Sequence, residues 1–399
     1  MSFLRNWFGT TTTAPEVQKE QKTPVRALPA SWYTSQDMYE LERRSIFSRK
    51  WLLTTHKHRV PNAGDWVQYD AAGYKFIVSQ DEQGNIKAYL HDNDLSPVHV
   101  HIDRNGFIWV NLDSKETPEV AWKDDFDGVD EQPRFDYYNF DNYYFDHTWD
   151  MEGDFNWKIL ADNYNECYHC QVAHPDIPTI ADLNSYYVKT KDGHIQHYGA
   201  QRQDQIDKGF RIATTYFWPN ASCNVSWVAL YIISTVFVEN NQLTNHQSPN
   251  FFFMQRFTPV SPTKSVMRYE VYRHKDATDE AFNLISDMYK RIMSEDKYLC
   301  IHTQKNLNAG VFVNGLLHPD MEMGPLHFQS TVREVVTEHF SKEQAAGHEI
   351  WPAKPVISST DVPAIDESDI AFRTGMDTYA DADNLHESLT GNLAPAIVV

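Results

Sequence analysis

The stretch Asn156 to Pro175, NWKILADNYNECYHCQVAHP, constrains this chain more than any other. Glu166, His169 and His174 crowd a carboxylate and two imidazoles into it, all able to hold a metal. Asp154 can cap a helix N-terminus, and Ile159, Leu160, Tyr164 and Tyr168 recur at helical spacing, so the pattern predicts an amphipathic helix. At roughly 100° per residue, Asp162, Glu166 and His169 share one face of it. His174 would leave that face. A residue before proline avoids the α region, however, so Pro175 ends the helix near His174 and lets that imidazole swing back.

A third ligand must come from elsewhere. In the segment Asp279 to Gly310, Ile285, Met288, Ile292 and Leu299 mark the buried stripe of a long helix; Asp296 falls inside the stripe and Glu295 outside it. A buried carboxylate needs a cation or a strong donor beside it. Two histidines and one carboxylate with open positions form the facial triad of non-haem Fe(II) oxygenases, and zinc accepts the same donors.

With those residues in hand, Asn156 to Pro175 resembles the catalytic signature of Rieske-type non-haem iron oxygenase alpha subunits, and SEDKYLC at Ser294 to Cys300 is similar to the segment carrying their third ligand. The choline monooxygenase-like branch, which acts on quaternary amines, is the nearest in flavour, and the similarity runs from about Leu28 to Trp351. The resemblance implies mononuclear Fe(II) on His169, His174 and Asp296. It makes Glu166 a catalytic residue, bridging that iron to the Rieske cluster of a neighbouring subunit. It further implies a [2Fe-2S] centre, electrons from NAD(P)H through an external reductase or ferredoxin, and a homotrimer. The implied fold is α+β, an antiparallel β Rieske-like domain followed by a helix-grip (START/Bet v 1-like) catalytic domain. The implied reaction is O2-dependent monooxygenation of a small organic substrate, with choline, converted to betaine aldehyde in glycine betaine biosynthesis, as the nearest suggestion.

Two breaks interrupt the resemblance. Asp65 to Tyr69, Tyr74 to Ser79 and Ile86 to Leu90 read as strands, with a turn at Asp81 to Asn85, and Phe107 to Leu112 closes the set. Between the last two, the family carries a Cys-x-His and a Cys-x-x-His that hold its cluster. Here Tyr89 to Asn93 passes almost directly to Leu95 to His99, and no cysteine precedes Cys167, so a truncated domain without cluster ligands is expected. His91, His99 and His101 cannot replace two thiolates, and His99-Val100-His101 reads as part of an ordinary strand. The second break lies between the strand-like segments Ala221 to Ser226 and Phe251 to Phe257. Trp227 to Val238 is apolar and the chain is then polar to Gln247, which reads as an insertion over about 227–247. Its apolar part is shorter than the ~20 residues a bilayer span needs. The breaks leave two alternatives to a working oxygenase: a non-catalytic ligand-binding or regulatory paralogue, or an altered gene-model or splice product.

The formal charge of -20 disfavours nucleic acid and anionic membrane as partners and suits a basic electron donor or a cationic substrate. Four cysteines are too scattered for a disulfide framework, which points to a reducing compartment, cytoplasmic with an organellar address left open. A redox or zinc role for the Cys167/Cys170 pair would compete with His169. The expected division is a disordered leader at 1–27, the truncated β domain at 28–120, the mononuclear iron domain at 121–351, and a disordered acidic tail at 352–399. The aromatic and acidic run Phe135 to Asp150 could cage a quaternary ammonium, though a strand-and-loop edge with half-buried rings is the expected reading. Gly310 to Gly324 is expected to line or cover the pocket, and a helix over Thr331 to Ala346 to close the fold.

Overall fold

In the computed structural model, residues 25–91, 96–200, 211–229 and 247–354 are described. The leader as far as residue 24, nearly all of the expected tail and most of the expected insertion lie outside them. Leader residues 25–27 are ordered, contrary to expectation. Val25–Arg26 (β1) pairs antiparallel with Leu316–Leu317 (β15), and Ala27 N–H donates to Gly315 O at 3.0 Å. Leu28 anchors this edge in the core.

Period-2 alternation places the first sheet close to where it was expected. Leu52–His56 (β2), Trp66–Ala71 (β3), Tyr74–Gln80 (β4), Ile86–Leu90 (β5), Pro97–Ile102 (β6) and Phe107–Asn111 (β7) form a 6-stranded sheet in the order β2-β7-β6-β5-β4-β3. Ala88 lies opposite Val98 and Tyr89 opposite Pro97, so the sheet closes across the shortened connection. Gln36–Glu42 (α1) precedes it in the chain, with the Ser35 side chain accepting from Met38 N–H.

Trp122–Phe126 (α2) leads to the second sheet. Tyr143–Gly153 (β8), Asp182–Lys191 (β9), His194–Ala200 (β10), Arg211–Phe217 (β11), Ala221–Ala229 (β12), Gln247–Ser261 (β13) and Lys264–His274 (β14) form 7 strands in the order β8-β14-β13-β12-β11-β10-β9. At its described ends, the expected insertion extends this sheet, with Ala229 opposite Gln247. Three short helices interrupt the β8–β9 connection: Trp157–Tyr164 (α3), Cys170–Ala173 (α4) and Ile177–Ile180 (α5). The 30-residue Asp279–Asn308 (α6) crosses the sheet and buries Ile285, Ile292, Met293 and Cys300. Met323–Ala346 (α7) begins earlier than its periodicity suggests, because Pro325 is tolerated in a first helical turn, and ends at Gly347 with φ 74°. A long helix over an antiparallel sheet is the expected helix-grip arrangement.

One apolar core runs from Phe76 and Val78 through Trp157 and Ile159 to Ile285 and Phe328. A second, aromatic core gathers Trp109, Phe135, Phe140 and Phe252; with Tyr138 and Tyr143 also in it, these rings of the aromatic run are buried rather than half-buried as expected. Between the sheets, the buried Glu270 carboxylate accepts from Thr55 at 2.6 Å, Tyr69 at 3.0 Å, Tyr272 at 2.8 Å and Arg256 at 3.2 Å. A carboxylate so fully bonded ties β2 and β3 to β14 without an uncompensated buried charge.

Candidate metal centre

The segment that dominates the sequence folds differently from the single helix expected. Asn156, not Asp154, is the N-cap: its side chain accepts from Lys158 N–H at 2.9 Å. The helix stops at Tyr164. Asn165 leaves helical geometry with ψ 8° and returns its side-chain amide to Ala161 O at 2.8 Å. Gly324, at the start of α7, packs so closely on the Asn165 carbonyl that any Cβ there would collide with it. Glu166 and His169 therefore sit in a turn rather than on a helical face shared with Asp162. Glu166 accepts from Tyr168 N–H at 2.7 Å, and Asp162 turns away to Tyr33 OH at 2.7 Å and Gln329 Nε2 at 2.9 Å. At His174, before Pro175, the backbone is extended with ψ 93°, and the imidazole does turn back.

Three donor atoms converge. His169 Nε2 and His174 Nε2 stand 3.2 Å apart, and Asp296 Oδ1 lies 3.4 Å from the first and 3.1 Å from the second. Donors about 2.1 Å from a common centre, at angles between octahedral and tetrahedral, are separated by roughly 3.0–3.4 Å, so the triangle fits a divalent transition metal. Each imidazole gives its other nitrogen to a carboxylate. His169 Nδ1 bonds Glu166 Oε1, and His174 Nδ1 bonds Glu295 Oε2 at 2.8 Å. Asn163 Nδ2 donates to Asp296 Oδ1 at 2.7 Å.

Electrostatics match a cation site. Burial works against charge on His169, but hydrogen bonds to Asp296 and Glu166 outweigh it and raise its pKa to about 9. Burial likewise opposes the Asp296 carboxylate, yet the two imidazoles hold its pKa below the ordinary value. Three carboxylates around two imidazoles leave a negative excess where a cation would sit.

Cys167 and Cys170 are disulfide-bonded, which the scattered-cysteine reading did not foresee. The turn after α3 brings their Cα atoms to 5.0 Å, within disulfide range. Cys170 Sγ is 3.8 Å from His169 Nε2, but a disulfide sulfur offers no thiolate, which leaves Asp296 as third donor. His99 Nε2 bonds Lys115 O at 2.8 Å while His101 stacks on Trp122 at 4.0 Å, so these two histidines do not converge on a metal.

The triangle opens on a cavity of about 520 Å³ whose walls include Tyr138, Tyr164, Tyr186, Tyr198 and Tyr289. Tyr137 and Tyr138 reach it from the aromatic run. Phe312 and Leu317 line a separate cavity of about 260 Å³, so the Gly310 to Gly324 segment does not line the main one, contrary to expectation; β1 pairing holds it to the other side. Glu166 borders both cavities.

Residues 140–338 match the family model of the ring hydroxylating alpha subunit (catalytic domain). This segment belongs to that family. Around the alpha-subunit domain, the chain is similar to the carnitine monooxygenase oxygenase subunit of Escherichia coli K12, with 21% identity covering 77% of this chain and 93% of the relative. It is also similar to the chloroplastic choline monooxygenase of Atriplex hortensis, with 21% identity covering 77% of each. The solved structure of the quaternary ammonium Rieske monooxygenase CntA superposes with a TM-score of 0.64 at 18% identity, covering 78% of this chain and 96% of that one. Rieske oxygenases combine mononuclear iron with a [2Fe-2S] centre. The donor set here fits the first group. It does not fit the second, because the two cysteines outside the disulfide, Cys223 and Cys300, are buried in the alpha-subunit domain.

The sequence reading missed Glu295 as a partner of His174, although its place beside Asp296 was a usable signal. It also missed Asn163, Arg134 and His197, which line the cavity.

Proposed function

We propose that this chain is a non-haem iron oxygenase subunit that oxidises a small quaternary amine, choline being one candidate, with Fe(II) held by His169, His174 and Asp296. The carrying observation is the convergence of those three donors at the wall of a tyrosine-lined cavity. When bound, the iron supplies the binding and activation of O2. Glu166 and Glu295 keep protons on the two Nδ1 atoms, so both Nε2 lone pairs face the metal. Asn163 orients Asp296. The tyrosine faces attract an ammonium group through cation–π contact, and the apolar walls of Ile212, Ile292 and Met293 exclude bulk water.

Glu166, bordering both cavities, is the proposed bridge through which an external donor, a reductase or ferredoxin fed by NAD(P)H, or a cluster-bearing subunit in a trimer, serves the site. The proposed catalytic domain is 121–351, behind a truncated β domain at 28–120. Among the described residues no helix is long and apolar enough to cross a membrane, and a cytoplasmic address is proposed. The missing cluster thiolates favour a second reading, a regulatory paralogue that binds the amine without turning it over. Incubating the Fe(II)-reconstituted chain with trimethylammonium compounds, O2 and an external reductant decides between them. Oxidised product that disappears in Asp296→Ala supports the oxygenase; amine binding without product supports the regulator.

A further inference from the structure

The disulfide between Cys167 and Cys170 lies in the wall of the main cavity, and the turn that it closes carries the metal donor His169. Backbone hydrogen bonds already shape that turn. Cys170 N–H donates to Cys167 O at 3.2 Å, Val172 and Ala173 N–H donate to His169 O at 3.0 and 2.9 Å, and His174 N–H donates to Cys170 O at 3.1 Å. A bridge between residues only 3 apart also confines the unfolded chain less than a longer one would. Opening it therefore leaves the turn in place.

The Cys170 sulfur is positioned for the metal triangle. It stands 3.8 Å from His169 Nε2, and the donor atoms of His169, Cys170 and His174 all lie within 4.8 Å of one another. A nitrogen about 2.1 Å and a thiolate about 2.3 Å from one tetrahedral ion are separated by roughly 3.6 Å. Rotation about the Cys170 Cα–Cβ bond closes that small difference once the S–S bond is gone. Cys170 is buried and Cys167 only half-buried, so a reductant meets Cys167 first.

We propose that Cys170 is a fourth metal donor under redox control: reduction of the Cys167–Cys170 disulfide frees its sulfur to join His169, His174 and Asp296, turning an open site into a closed tetrahedral one suited to zinc. A dithiol reductant attacks Cys167 Sγ, the S–S bond breaks, and its electron pair leaves on Cys170 Sγ. The reductant's second thiol then resolves the mixed disulfide at Cys167. The pair gains two electrons and two protons, the reductant becomes a disulfide, and Cys170 gives up its proton to solvent on binding the metal. The inference rests on the three-donor site of the proposed function and adds a second state to it. Three donors leave coordination positions open, four fill a tetrahedron, and a soft thiolate favours zinc. At the proposed cytoplasmic address, a disulfide is characteristically transient and redox-sensing.

Cobalt(II) tests this, because it substitutes for either metal and reports a bound thiolate by a sulfur-to-cobalt charge-transfer band in the near ultraviolet. The metal-free full chain is loaded with Co(II) anaerobically, once as the disulfide and once after treatment with a phosphine reductant that is then removed; alkylation and mass spectrometry count the thiols. Both forms should bind Co(II), and only the reduced form should show the band. The reduced form should also hold Zn(II) about 100-fold or more tightly than the disulfide form in competition with a chelator, beyond the worth of a supporting contact. Cys167→Ser, which leaves Cys170 nothing to bridge, should show the band without reductant, and Cys170→Ser should lack it in either state. Co(II) bound by both wild-type forms with the same spectrum overturns the fourth donor and leaves the three-donor site standing, whether or not the variants fold. Co(II) bound by neither form overturns both. A pair that the phosphine leaves oxidised, or a band that persists in a folded Cys170→Ser chain, also overturns the proposal.

Discussion

Glu295 Oε2 accepts a hydrogen bond from His174 Nδ1 at 2.8 Å, the same relation that Glu166 bears to His169. Carboxylates in this position fix the tautomer and the plane of a ligating imidazole, and losing one typically weakens metal binding by about 10–100-fold. Glu295→Gln should therefore keep its fold and hold Fe(II) roughly that much more weakly in competition with a chelator. An unchanged affinity would show that His174 is oriented by packing alone.

Removing a donor atom has a larger effect than removing its support. His169→Ala should abolish metal retention through gel filtration, with the far-ultraviolet dichroism unchanged. Glu166→Gln should retain metal and lose turnover coupled to the external electron donor. Full turnover by Glu166→Gln would remove the bridge from the account.

Lys158 and Glu42 form a fully buried ion pair at 2.5 Å, and Trp157 Nε1 donates to the same carboxylate at 2.8 Å. Burial dominates at Lys158 and lowers its pKa despite Glu42. Stripping the partner strands the ammonium, so Glu42→Gln should cost about 3–5 kcal/mol in urea unfolding. Replacing both residues with methionine should cost much less. Similar losses from the single and double variants would show that the pair is not coupled.

Asp162 gives a pH dependence of definite sign. Burial raises its pKa to about 7, against the hydrogen bonds from Gln329 and Tyr33 that favour the carboxylate. Between about pH 4 and pH 7 the native chain holds a proton that the unfolded chain has released, so this residue makes stability fall as pH rises through that window. Asp162→Asn removes the penalty. Relative to wild type it should be near neutral at pH 4 and more stable by roughly 1–3 kcal/mol at pH 8. A gain independent of pH, measured by urea unfolding at both values, would contradict the assignment.

The parts legible in the sequence were those governed by local periodicity. Alternation located β3, β4, β5 and β7, and the apolar stripe of α6 carried Asp296 inside and foretold its burial. The proline rule released His174. What escaped was set by tertiary contact. The break after Tyr164 depends on Gly324, more than a hundred residues along the chain, packing on the Asn165 carbonyl. Glu295 lies outside the apolar stripe and so looked solvated, yet a half-exposed carboxylate can still reach across to a ligand histidine. Arg134 gave no periodic signal because it sits in a short irregular turn.

The central claim is that His169, His174 and Asp296 chelate one ferrous ion. Anaerobic reconstitution of the full chain with Fe(II), followed by iron determination, the visible spectrum and a crystal structure with iron anomalous scattering, tests it most directly. The account predicts one iron per chain, bound by these three side chains, with no Rieske absorption bands. A chain that binds no iron, or an anomalous peak away from this triangle, would contradict it.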